Sequence, residues 1–173
     1  MSDIREQLKG SYSEGGALAI YNMVRETGEW IPFLIAYLHD DDYQVTRNAL
    51  WGLTKATDKE LSSLQPMLHE LIDKALSHEN PSVRRLSMNI IVRLKMEEDD
   101  LRTDFLDFCL DHMQKPDEYP GIQSLCLKLA YRMCQFYPEL MDELRRTLES
   151  MDMSYYSPAL RSVRNRILTN KKV

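Results

Sequence analysis

HDDDYQVTRNALWGLTKA, residues 39–56, and SHENPSVRRLSMNIIVRL, residues 77–94, share few identities and one pattern. Val45 stands in the first where Val83 stands in the second. Ile122 of GIQSLCLKLAYRMC and Leu160 of SPALRSVRNRIL continue the series, at spacings of 38, 39 and 38 residues. Four positions after each of the first three anchors comes a small residue, Ala49, Ser87 or Cys126. A large apolar one follows it, Leu50, Met88 or Leu127. On a helix turning about 100° per residue, the anchors and the positions seven, eight and eleven beyond them share one side. That side holds Val45, Leu53 and Ala56; Val83, Ile90, Ile91 and Leu94; Ile122, Leu129, Ala130 and Met133. These residues form the expected core.

Each anchored helix follows another with apolar residues at helical spacing: Leu34 and Leu38, Ile72 and Leu76, Leu106 and Leu110, Leu144 and Leu148. The turns between them are HDDD, HENP, QKPDEYPG and a tract ending in Ser157 and Pro158, where proline suits the first turn of the next helix. No alternating strand pattern interrupts the series, so the chain reads as all-α.

A two-helix unit of this length, with Asp or Asn in its inner turn and Val-Arg opening its second helix, resembles the HEAT repeat of the armadillo-like superfamily. The likeness rests on IPFLIAYLHDDDYQVTRNALWGL and LQPMLHELIDKALSHENPSVRRLSMNIIVRL, and extends more weakly over residues 101–173. Pro81, Val83 and Arg84 match the pattern directly, whereas Thr46 stands where its arginine would be. The resemblance implies a right-handed α-α superhelix, a helical-hairpin solenoid of about four and a half repeats. As a single domain over 1–173, it divides into a degenerate N-terminal unit (1–28), repeats at 29–57, 58–96 and 97–136, and a C-terminal capping repeat (137–173). SYSEGG separates the two helices expected in the N-terminal unit. The spacing is slightly short of the class's usual period of about 40–47 residues, but tetratricopeptide and ankyrin repeats need about 34 and 33.

Charge sorts by helix. The second-helix segments 45–56, 83–95, 122–133 and 160–172 hold thirteen Lys or Arg and no Asp or Glu. The first-helix segments with their flanking turns, 29–42, 58–79, 97–111 and 137–152, hold five basic and twenty-one acidic residues. The net charge of −5 is therefore a sum over two opposite faces. Positions two, six and ten after each anchor lie opposite the core. They give Arg47, Trp51 and Lys55; Arg85, Asn89 and Arg93; Ser124, Lys128 and Arg132; Ser162, Arg166 and Asn170. Seven of the twelve are basic and none is acidic, and an aligned first unit would add Tyr21 and Arg25.

In a solenoid the second helices line the concave side. The expected binding face is therefore Arg47, Trp51, Lys55, Arg85, Asn89, Arg93, Lys128, Arg132 and Arg166. Several guanidinium groups along such a face can hold carboxylates or phosphates bidentately. The function that follows is non-catalytic: a scaffold or adaptor binding an acidic or phosphorylated segment of another protein. The plain reading of the same charges is a solvated or internally paired surface, and Arg84 and Arg161 are expected to pair with carboxylates of neighbouring turns.

Catalytic signatures are not apparent. His39, His78 and His112 follow the ends of first helices and recur about 10 Å apart in a stack, too far to share an ion. HDDDY and KMEEDD lack the ligand spacing of a calcium loop and read as turns with N-caps. No phosphate-cradling glycine loop and no GxSxG elbow occur. No metal or cofactor is expected. The alternative on the same face is a nucleic-acid binder or a HEAT-like DNA glycosylase for alkylated bases. Trp51 and the arginines resemble that arrangement, while its catalytic aspartate has no counterpart in the second helices. HEAT-like bilin lyases offer no local motif here. MSDIREQLKG is charged from its third residue and leads into no apolar stretch, and Cys109, Cys126 and Cys134 have no CxxC spacing. The expectation is a cytoplasmic protein with reduced, buried thiols and no membrane partner.

Overall fold

The computed structural model describes residues 3–10 and 12–173. Met1, Ser2 and Ser11, the last within the SYSEGG separator, lie outside the described residues. Among the described residues the chain is helical with no strand. Its helices form two compact units, Met1–Lys95 and Met96–Val173.

The first unit contains α1 (Ile4–Lys9), α2 (Glu14–Thr27), α3 (Trp30–Tyr37), α4 (Tyr43–Thr54), α5 (Asp58–Leu61), α6 (Leu68–Ser77) and α7 (Pro81–Ile91). A 3-10 turn over Ser62–Met67 joins α5 to α6. The second contains α8 (Thr103–Gln114), α9 (Pro120–Cys134), α10 (Pro138–Ser150) and α11 (Pro158–Leu168).

The turns start the second helices as their composition predicts. Asp42 caps α4 by accepting from the Gln44 amide, and Asn80 caps α7 by accepting from Ser82 and Val83. Ser157 caps α11 through the Leu160 amide. Pro81, Pro120, Pro138 and Pro158 each open a helix, where the missing N–H has no intrahelical role.

Each of the eleven core residues read from the periodicity is buried, and most are fully inaccessible. Burying a side chain of this kind contributes about 1.5–3 kcal/mol, more than any surface charge pair here can offer. In the first helices Leu34, Leu38, Ile72, Leu106, Leu144 and Leu148 are buried, while Leu76 and Leu110 are half-buried. Cys109, Cys126 and Cys134 are buried and form no disulfide. Burial raises the Cys109 thiol well above its ordinary pKa, with its contact to Cys126 acting in the same direction.

In the first unit α4 packs between α2 and α7, with α1 and α3 also against it. Its approach to α2 requires Gly52, since a Cβ there would lie 2.7 Å from Ile20 Cγ2. In the second unit α9 is the central helix, packed on α8, α10 and α11.

A polar device recurs one position after the anchors. Thr46 Oγ1 donates to the Tyr37 carbonyl at 2.9 Å. Arg84 Nε donates to Ala75 O at 3.2 Å and its Nη2 to His78 O at 3.3 Å. Gln123 Nε2 donates to Lys115 O. Each second helix thereby satisfies carbonyls left over at or just past the end of the helix before it. Three different side chains do one job, so threonine at position 46 keeps the function of the arginine it replaces. The bonds described for Arg84 thus run to backbone carbonyls, where a carboxylate was expected. In the last pair the same task passes from Arg161 to Arg164, whose Nε donates to Leu148 O at 2.9 Å.

Candidate functional site

A groove between α4 and α7 brings part of the expected stripe together. Tyr12, Arg47, Trp51, Thr54, Lys55, Ser82, Arg85, Leu86 and Asn89 line a cavity of about 510 Å³. The cavity lies within the first unit.

Asn48 organises its upper wall. It is fully buried, and its Nδ2 donates to Leu8 O at 2.7 Å, fastening α1 to α4. Its Oδ1 accepts from Arg47 Nε at 3.0 Å. The Arg47 guanidinium also lies over the Tyr43 ring, 5.8 Å from its centroid. An amide oxygen and a ring face orient that guanidinium and leave its charge unneutralised. Arg85 is exposed on α7. Neither Arg47 nor Arg85 has a carboxylate within ion-pair distance among the described residues. Two guanidinium groups facing one concavity without a counter-charge favour an anion there. Trp51 supplies a half-buried aromatic wall, Leu86 an apolar floor, and Ser82 and Asn89 hydrogen-bonding groups.

Other members of the stripe have work elsewhere. Lys55 lines the groove, but its ammonium is paired with Glu14. Arg93 lies outside it and closes the end of α4: Nε binds Asp58 Oδ1 at 2.7 Å, Nη1 binds Thr54 O at 3.0 Å, and Nη2 reaches Ala56 O. Tyr21 and Arg25 do not line the groove either. The Tyr21 hydroxyl donates to Glu60 Oε1 at 2.8 Å, and the Arg25 guanidinium sits 5.5 Å from the Tyr21 ring centroid.

In the second unit Lys128 and Arg132 are half-buried. Desolvation pulls the Arg132 pKa below its ordinary value, the direction expected of a cation placed against protein rather than water. Arg166 is exposed in a depression of about 630 Å³ formed by α11 and the residues just beyond it, with Pro158, Arg161, Ser162, Asn165, Thr169 and Lys171.

Four groove residues fall outside the single-helix reading: Tyr12, Thr54, Ser82 and Leu86. The last three lie on the flanks that α4 and α7 turn towards the cavity, Thr54 on α4 and Ser82 and Leu86 on α7. Widening the stripe to positions minus one, three and nine, which fall within or beside the arc of positions two, six and ten on the wheel, would have found them. Tyr12 comes from another element and leaves no such signal.

The histidines serve turns. His78 Nδ1 accepts from the Asn80 amide at 3.0 Å, and desolvation lowers its pKa. His112 stacks on Phe108 with centroids 4.0 Å apart and bonds Glu118 across the α8–α9 turn. His39 lies 3.9 Å from Glu70. No cluster of three potential metal ligands occurs among the described residues, and none of their helices is long and apolar enough to cross a membrane.

Anchors at near-constant spacing, a buried seam between second helices within each unit (α4–α7 and α9–α11) and a recurrent cap joining each pair define a helical-hairpin repeat protein of the solenoid class. The family profile described as HEAT repeat domain matches residues 4–171, and the chain belongs to the HEAT repeat family. Among curated proteins and among solved structures nothing matches it. Membership points to a protein-interaction scaffold, typically without catalytic activity.

Proposed function

We propose that this protein is a non-catalytic interaction module that holds an acidic or phosphorylated segment of another protein in the α4–α7 groove. Arg47 and Arg85 supply the charge, Trp51 an aromatic wall and Asn89 a hydrogen-bonding amide. The observation that carries the reading is the pair of guanidinium groups lining one cavity with no carboxylate of the chain's own on either. Lys55 joins them when Glu14 releases it. Lys128, Arg132 and Arg166 would act within the second unit as separate, weaker contacts.

The test uses fluorescence anisotropy with a labelled peptide alternating Asp and phosphoserine, and with labelled single- and double-stranded DNA, at physiological salt. The peptide should bind. Arg85→Glu should abolish binding with helicity and melting temperature unchanged, and Arg47→Glu should abolish it with helicity kept and a modest fall in melting temperature, because Asn48 Oδ1 loses its donor. Tighter binding of DNA with a steep salt dependence would replace this reading by a nucleic-acid one. Charge reversals that leave peptide binding intact would end it.

A further inference from the structure

The groove already holds part of its own chain. Tyr12, just before α2, sets its ring 5.4 Å from Trp51 at an interplanar angle of 56°. It also lies over Gly16, where a Cβ would meet the ring at 3.4 Å. Two residues on, Glu14 places its carboxylate on Lys55. One short stretch thus covers the aromatic wall and one of the cations with an aromatic ring and an acid.

The seat is a weak one. The Tyr12 hydroxyl is buried with no hydrogen-bond partner among the described residues, a cost that a solvated tyrosine does not bear. Burial pushes its pKa up accordingly. The Glu14 side chain keeps 70% of its exposure, and an ion pair that open to water is easily exchanged. Gly15 and Gly16 occupy the first turn of α2, where glycine weakens the helix and lowers the cost of unwinding it. Ser13 caps the helix by accepting from Gly16 at 3.2 Å, so a departing Tyr12 and Glu14 would take the cap with them and leave the rest of α2 in place on α4.

We infer that Tyr12 and Glu14 are a displaceable internal ligand of the groove, and that the partner segment displacing them carries the same pair: an aromatic side chain with a carboxylate or phosphate group two residues further on. The inference rests on the binding role proposed for Arg47 and Arg85 and adds two things to it, the chemistry of the partner's motif and the regulation of access. A simpler role for Tyr12 exists, since the residue before an N-cap often packs on the first turn as a hydrophobic staple. The two roles predict opposite affinities.

The experiment compares the full-length wild type, Tyr12→Ala/Glu14→Gln and Tyr12→Phe. The probes are a labelled peptide with a Tyr-Ser-Glu core flanked by Asp, and the same peptide with Ala in place of Tyr. The double variant should bind the Tyr-containing probe about three- to tenfold more tightly than wild type, because a self-occupied groove discounts apparent affinity by its occupied fraction. The Ala-containing probe should gain less. Tyr12→Phe removes the unpartnered hydroxyl and keeps the ring, so its seat improves and probe affinity should fall below wild type. In a Trp30→Phe background the emission of Trp51 should change on binding of the Tyr-containing probe. Lower affinity in the double variant, with Arg47→Glu still abolishing binding, would make Tyr12 a fixed wall and overturn the inference while sparing the binding role. Failure of every acidic probe to bind any variant would overturn both.

Discussion

The α4–α7 seam and the α9–α11 seam are built on the same anchors and both carry cations opposite the core, yet both helices of the first line one cavity, whereas the depression beside the second is lined by α11 and its trailing residues. Each sets two second helices side by side with cations on the side opposite the core. They stand at positions two and ten after the anchor in the first seam and at six and ten in the second, where Ser124 and Ser162 stand at position two. In the first seam both helices contribute to one cavity, so Arg47 and Trp51 of α4 share it with Arg85 and Asn89 of α7. In the second, Lys128 and Arg132 of α9 are half-buried, and the depression around Arg166 is lined only by α11 and its trailing residues. A basic stripe becomes a candidate site only where side chains of both neighbouring helices reach one concavity. Charge at a repeat position does not suffice.

The largest effects should ignore this difference, because the cores of the two seams are equivalent. Leu53 of α4 and Leu129 of α9 are both fully buried at related positions after their anchors. Leu53→Ala and Leu129→Ala should each destabilise by about 2–5 kcal/mol through lost contacts and a residual cavity, measured by urea unfolding. A Leu129→Ala cost below about 1 kcal/mol would break the equivalence.

How far the sequence carries the reader follows from the same contrast. Core positions were legible because burial depends on periodicity alone, and Val45, Val83 and Ile122 satisfy it by being apolar. The helix starts were legible because Asp42, Asn80 and the prolines act locally. Thr46 and Gln123 were not read as caps because their acceptors are backbone carbonyls, which carry no residue identity. Arg93 looked equivalent to Arg47 on a helical wheel. Its distinct role appears only when the end of α4 arrives beside it, bringing the Thr54 carbonyl and Asp58 within reach. Tyr12 was invisible because its contact depends on how the entrance to α2 returns over α4.

A middle-sized effect separates those two kinds of arginine. Arg93→Ala should cost about 1–3 kcal/mol, since it strips hydrogen bonds from carbonyls at the end of α4 and leaves part-buried acceptors unpaired. Arg85→Ala should change stability by less than about 0.5 kcal/mol, as expected of an exposed side chain without partners. Thermal melting of the two variants decides it. Equal losses would mean that Arg85 is structural, and the groove would lose the distinction on which its binding role depends.

The smallest effect concerns how each unit ties a turn. In the second unit His112 and Glu118 bridge the α8–α9 turn. In the first, Arg5 of α1 holds Asp40 of the α3–α4 turn through two bonds, Nε to Oδ2 at 2.7 Å and Nη2 to Oδ1 at 2.9 Å. The hydrogen bonds from Arg5 hold the Asp40 carboxyl below its ordinary pKa, helped by the Asp42 amide and the nearby charges of Arg5 and Lys9. A carboxyl with a depressed folded-state pKa stabilises the fold wherever it is ionised. Its contribution is complete above the unfolded value, about 3.9, and vanishes as pH falls through the lower folded value. The urea midpoint of wild type should therefore exceed that of Asp40→Asn by a constant margin between about pH 5 and 7, and the margin should close as pH drops below about 4. A margin unchanged at low pH would show that the turn is held by shape and hydrogen bonding alone. The charge on Asp40 would then be incidental, like that of an ordinary surface carboxylate.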